Sequence, residues 1–288
     1  WNGDRSAANA SVAHIDPYYF LQPFDAKAGE RWVQGFELTE LFAQNCVGVV
    51  TANDDVFVGF DMEALEQSVT RNLGNFEERL VKPETYRPYD RRLIYYDTER
   101  LARAREPVSR QFFSDNLGLT FMRPTGSKVD LAFGVTQDMI DQCAAANKSA
   151  GGGISYQAPL FLYPTDNGAQ GDVFAITQRT LNLDPKLYAA ICAAAAIDPT
   201  GQARSDDDFR AATGDARPSE VKVFDYIYGV LHAPNYRETY AEFLKIDFPR
   251  IPYPKSPDVF AHVSEKGEAL RRLHLMEGAA IGETPYRY

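Results

Sequence analysis

Apolar residues keep two different rhythms along this 288-residue chain. The earlier part carries short runs of strand length, rich in β-branched and aromatic side chains: Val47–Thr51, Val56–Phe60, Leu93–Tyr96, Leu117–Arg123, Val129–Val135, Pro159–Tyr163 and Val173–Thr177. Ala52-Asn53-Asp54-Asp55 separates the first two with turn chemistry, and Pro124–Lys128 separates Leu117–Arg123 from Val129–Val135, which predicts a hairpin. Two helical spacings interrupt this part. Thr39 is placed to cap a short helix through Phe42, and Leu65, Val69 and Leu73 mark a helix over Met62–Leu73 that Gly74 stops.

Later the rhythm is mainly helical. Asp184 caps and Pro185 opens a helix through Ile197. Ser219 precedes a stripe of Val221, Phe224, Tyr228 and Leu231, which Pro234 ends. Asn235 then precedes Tyr236, Tyr240, Phe243 and Leu244, and Ser256-Pro257 precedes Phe260, Val263, Leu270 and Leu273. Between the last two stripes the three prolines of Phe248–Pro254 forbid regular helix and interior strand. These patterns predict an α+β fold. Residues 1–35 form an aromatic-rich arm or linker, 36–200 a β-rich region and 218–288 a helical portion, with the polar stretch Asp198–Arg217 as the boundary.

Composition adds limits. Hydrophobic content of 44% and charged content of 24% are those of an ordinary globule. No apolar run reaches membrane-spanning length, and no signal-like segment opens the chain. Cys46, Cys143 and Cys192 lie far apart without metal spacing and read as reduced thiols of a cytoplasmic protein. The first residue is Trp1, which suggests an excised fragment.

Candidate chemistry concentrates in Tyr86–Tyr96 and the arginines that follow. Lys82 to Arg110 holds eight basic residues against five acidic ones, in a chain of net charge −10. Arginine beside tyrosine suits phosphates and base edges, because the guanidinium fork binds bidentately and stacks on rings. The same residues also suit a strand with a solvated face and arginine stems lying over apolar neighbours. Asn53 has an amide that matches an adenine edge, or equally a turn residue bonding its own backbone. Arg123 and Lys128 sit at the tip of the expected hairpin. Ser149–Ser155 is rich in glycine but lacks phosphate-loop spacing and reads as a connector. No Asn/Asp-Pro-Pro-Tyr/Phe word, nuclease carboxylate–lysine cluster or metal spacing is evident, and Ala233-Pro234-Asn235-Tyr236 matches the first only superficially. No catalytic or metal residue is assigned, and the fragment is expected not to catalyse by itself.

Three words resemble one family: Tyr86–Asp97, the long Phe224–Pro254, and Leu38–Phe42 with Gly48–Asp54. The family is the C-terminal target-recognition region of Type ISP, single-polypeptide Type I-like restriction–modification enzymes and related adenine methyltransferases. The resemblance implies a sequence-specific module for double-stranded DNA, docked through its C-terminal helices on a methyltransferase domain of the same polypeptide. It implies S-adenosylmethionine for the intact parent and no cofactor here. Phosphate contacts would come from Arg87, Arg91, Arg92, Arg103 and Arg105, and base contacts from loop residues such as Asn53, Arg123 and Lys128. A net charge of −10 opposes DNA binding unless positive charge gathers on one face or neighbouring domains clamp the backbone. The alternative is a hydrolase or transferase whose site is assembled from scattered Asp, Glu and His residues.

Overall fold

The computed structural model describes residues 26–123, 132–145, 154–164, 179–200 and 209–283. From the start these form α1 (Ala26–Val33), β1 (Phe36–Glu37), α2 (Leu38–Leu41), β2 (Cys46–Val47), α3 (Asp54–Phe57), β3 (Val58–Gly59) and α4 (Met62–Leu73). The middle comprises β4 (Val81–Arg87), β5 (Asp90–Tyr95), α5 (Glu106–Ser109), β6 (Gly118–Arg123), β7 (Gly134–Thr136), β8 (Met139–Ile140) and β9 (Ile154–Pro159). Next come β10 (Phe161–Leu162), β11 (Thr180–Leu181), α6 (Pro185–Ala195), α7 (Ser219–His232) and α8 (Pro234–Thr239). The last elements are α9 (Ala241–Leu244), β12 (Arg250–Ile251), α10 (Pro257–His274) and α11 (Gly278–Ile281). The class is α+β.

Two four-stranded sheets organise the described residues, in the orders β2-β9-β6-β7 and β3-β5-β4-β8. The first is antiparallel; in the second, β8 runs parallel to β4. The segment around β8 stitches them together. Val49 N–H donates to the Ile140 carbonyl at 2.8 Å, Gln142 N–H donates to that of Val49 at 2.9 Å, and buried Gln157 of β9 accepts from Ile140 N–H at 3.1 Å. Gly48 permits this approach, since a Cβ there would lie 2.5 Å from the Asp141 backbone.

Each sheet carries its own core. Under the second lie Leu65 and Val69 of α4 with Val56, Phe57, Ile94, Tyr95 and Met139, all buried. Burying Leu65 and Val69 contributes roughly 1.5–3 kcal/mol each. The first sheet joins the helices: Leu119, Phe121 and Ala158 share one core with Trp32, Ile191, Phe224, Tyr228, Phe243 and Phe260.

Several expectations are refined. Val56–Phe60 is not a strand, because Asp54 and Asp55 favour the positive end of α3 and Val56 with Phe57 turn into the core beneath α4; only Val58–Gly59 pairs with β5. Thr39 does not cap α2: Glu37 occupies that position in a reciprocal box with Glu40. Ser219 is the first residue of α7, and its hydroxyl donates to the Asp198 carbonyl at 2.6 Å. Asn235 does not cap α8, which opens at Pro234 after Ala233. Within the expected arm, Ala26–Val33 is helical, and Trp32 stacks on Phe243 with centroids 5.1 Å apart. Leu273 is 45% exposed and leaves the apolar stripe. Lys128, the tip of the expected hairpin and Val173–Thr177 lie outside the described residues.

Candidate nucleic-acid interface

The segment Tyr86–Tyr96 forms the turn and second arm of the β4–β5 hairpin. Pro88 followed by Tyr89 at φ 62° is the type II pattern, which would splay the arms; a register shift between Thr85 and Arg87 absorbs the mismatch. Tyr89 is 68% exposed at the turn, and its ring meets His274 edge-on at the end of α10. His274 Nδ1 bonds the Tyr228 hydroxyl at 2.6 Å. Beside it, burial lowers His232 to about 4, so this last residue of α7 is neutral at physiological pH.

Strand alternation sends Arg91 and Arg92 to opposite faces, because Arg91 pairs with Thr85 and Arg92 with Glu84. On the Arg92 face, its guanidinium lies 3.9 Å from the Tyr86 centroid and 4.2 Å from that of Phe60, which is 73% exposed. Arg87 stacks on Tyr86 as well, at 4.0 Å. The Tyr86 hydroxyl donates to Asp54 Oδ2 at 2.9 Å, which ties α3 to the ladder. On the other face, Arg91 donates through Nε to Asp138 Oδ2 at 2.5 Å and through Nη2 to Oδ1 at 3.0 Å. Thr136 fixes the carboxylate's segment, accepting from Asp138 N–H at 3.0 Å and meeting the Thr85 hydroxyl at 2.8 Å.

All three hairpin arginines have carboxylate partners: Arg87 with Asp141 at 2.6 Å, Arg91 with Asp138, and Arg92 with Asp90 at 2.8 Å. They therefore do not form the bare cationic cluster that composition suggested, and each offers a phosphate less than an unpaired charge would. Arg103 is exposed, with backbone bonds to Val50 in both directions at 3.0 Å. Arg105 has φ 57° before α5, and its Nε is buried without a hydrogen-bond partner among the described residues. Asn53 is exposed at the start of α3 and makes no side-chain cap. Its neighbour Asp54 reaches Tyr86, so α3 brings Asn53 towards the hairpin. Arg123 ends β6 opposite Ile154.

Sequence reasoning missed the partners. Asp138 lies 47 residues from Arg91 and Asp141 lies 54 from Arg87, so no local spacing announces either pair. It also missed Glu84, which is 1% exposed and whose Oε1 has no hydrogen-bond partner among the described residues. Burial, reinforced by Asp141 and Asp54 and opposed by Arg87 and Arg92, raises its pKa to about 8. A cavity of about 570 Å³ beside β5 is lined by Glu77, Arg79, Asp97 and Arg100 among others. Two of its carboxylates are paired, Glu77 with Arg79 at 2.5 Å and Asp97 with Arg100 at 3.4 Å, so they are not poised as an acid–base couple.

Fold and surface together define a mixed α+β module that displays braced arginines and exposed aromatics on a hairpin. The chain belongs to the family described as the Type ISP C-terminal specificity domain, whose model matches residues 70–288. No match was found among curated proteins. Among solved structures it is similar to the DrdV–DNA complex, at 19% identity and a TM-score of 0.61, covering 82% of this chain and 23% of that one. It is similar to a nuclease-deletion mutant of the Type ISP restriction-modification enzyme LlaGI in complex with a DNA substrate mimic, at 18% identity and TM-score 0.58, covering 88% and 20%. A third likeness is to the ATP-dependent Type ISP restriction-modification enzyme LlaBIII bound to DNA, at 19% identity and TM-score 0.57, covering 82% and 16%. At these identities the likeness is one of fold, and the chain spans about a fifth of the length of those chains.

Proposed function

We propose that this chain reads double-stranded DNA as the specificity module of a restriction–modification enzyme. The observation that carries the reading is the specificity-domain match over residues 70–288. Support comes from the three similar structures, each a DNA complex or a complex with a DNA mimic. The exposed chemistry of the hairpin, guanidinium and aromatic, is the chemistry that meets base edges and unstacked bases. In this reading the parent polypeptide is a cytoplasmic adenine methyltransferase using S-adenosylmethionine, and its methyltransferase domain packs beside the helices of this chain. The present chain then supplies recognition and no catalysis. No helix of the described residues is long and apolar enough to cross a membrane.

Fluorescence anisotropy of the 288-residue chain on duplex pools, with single strands and heparin as competitors, tests the reading. Iterated selection should enrich a defined duplex sequence that outcompetes scrambled duplex. Equal binding to every polyanion, with no enriched sequence, would refute it.

A further inference from the structure

We propose that Arg91, braced by Asp138, is a guanine-reading residue that sets part of the target specificity. This rests on the DNA-reading function above and gives one of its contacts a base identity. A guanidinium presents two donor edges: a side edge formed by Nε and one Nη, and an end edge formed by the two Nη groups. Asp138 takes the side edge of Arg91, with bonds of 2.5 and 3.0 Å from Nε and Nη2. The anchor is sunken and the reader is not: the side chain of Asp138 is 10% exposed and that of Arg91 69%. The end edge is left pointing away from its carboxylate, its orientation already fixed.

The O6 and N7 acceptors of guanine in the major groove match that end edge bidentately. Phosphate also offers two acceptors, and electrostatics decides between them. Arg91 is already neutralised by a carboxylate, which repels a phosphate anion but only weakly perturbs a neutral base edge. Arg92 is different. Its side edge is held by Asp90, its side chain is only 23% exposed, and its faces are covered by Tyr86 and Phe60, so it serves the hairpin as a strut. Arg87 bonds Asp141 and the Tyr86 carbonyl through Nη1, which occupies its end edge. Arg91 is thus the hairpin arginine whose reading edge is open. Asp138 acts through it as a positioning residue.

Duplex pools randomised in sequence are selected on the full chain and on Arg91→Ala, Arg91→Lys and Asp138→Asn variants, with circular dichroism melts to establish folding. The unsubstituted chain should enrich a site containing at least one fixed G·C pair. Arg91→Ala should lose the preference at one such position, by about 5- to 150-fold in relative affinity, and keep the others. Arg91→Lys should recover part of it, and Asp138→Asn should soften the same position and no other, a signature that loss of stability would not produce. An unchanged site for Arg91→Ala overturns the assignment and leaves DNA reading intact. A uniform loss on all sequences with a shallower salt dependence also overturns it, because that is a phosphate contact. If the unsubstituted chain enriches no sequence, DNA reading falls and the assignment falls with it.

Discussion

Glu84 stands on β4 opposite Arg92, yet its carboxyl is buried and one oxygen has no bond among the described residues. Its pKa rises from 4.5 to about 8, so the folded protein keeps this proton through neutral pH and the unfolded chain releases it near 4.5. The group's stability contribution is therefore fully present below 4.5 and is lost as pH rises through about 8. Glu84→Gln, which keeps the shape and cannot ionise, should remove that loss. In urea unfolding at pH 5 and pH 8 the unsubstituted chain should fall relative to the variant by roughly a few kcal/mol. Parallel profiles would show that the carboxyl finds water or a cation after all. None of this was legible in Val81–Arg87, a mixed polar word for which no strand was expected. The strand becomes central only because Met139–Ile140, far away in sequence, pairs along its other side.

Helix α7 meets α10 at closer range than their stripes imply. A Cβ on Gly267 would fall 1.8 Å from the Asp225 carbonyl oxygen, and one on Gly229 would fall 2.5 Å from that of Val263. The approach lets Asp225 sit between Arg217 and Arg271, each at 2.6 Å, in a fully buried network. Gly267→Ala gains about 1 kcal/mol of helix propensity but must separate two backbones, and the clash should win by roughly 1–3 kcal/mol or more. A lowered thermal midpoint checks this; a raised one would mean that the helices slide apart at no cost. The apolar stripes, the Gly74 stop, the Asp184 cap and the break at Pro234 could all be read from local spacing, because caps and periods are written within a few residues. The buried ions could not. Asp225 and Arg271 are 46 residues apart and each looks like an ordinary surface charge on its own helix.

A chain of net charge −10 that also neutralises its hairpin arginines internally has little bare charge there to offer a phosphate backbone. The family words could be read from the sequence, but the pairing could not. Composition counts arginines without showing that Asp90, Asp138 and Asp141 fold onto them. If the chain reads DNA as proposed, weak and shallowly salt-dependent binding to arbitrary DNA is expected, with discrimination left to oriented edges. Asp90→Asn tests this balance without touching the Arg91–Asp138 pair. Asp90 holds Arg92 through its carboxylate at 2.8 Å, and the amide keeps the shape while releasing one positive charge. Affinity for scrambled duplex should then rise several-fold at low salt, and the plot of log affinity against log salt should steepen by up to about 0.9. Preference for the selected site over scrambled duplex should stay unchanged, because an added attraction that is the same on every sequence cancels in the ratio of the two affinities. A slope that stays the same, with the fold intact, would place this face of the hairpin away from the phosphates. The DNA would then have to approach from the Arg91 side alone.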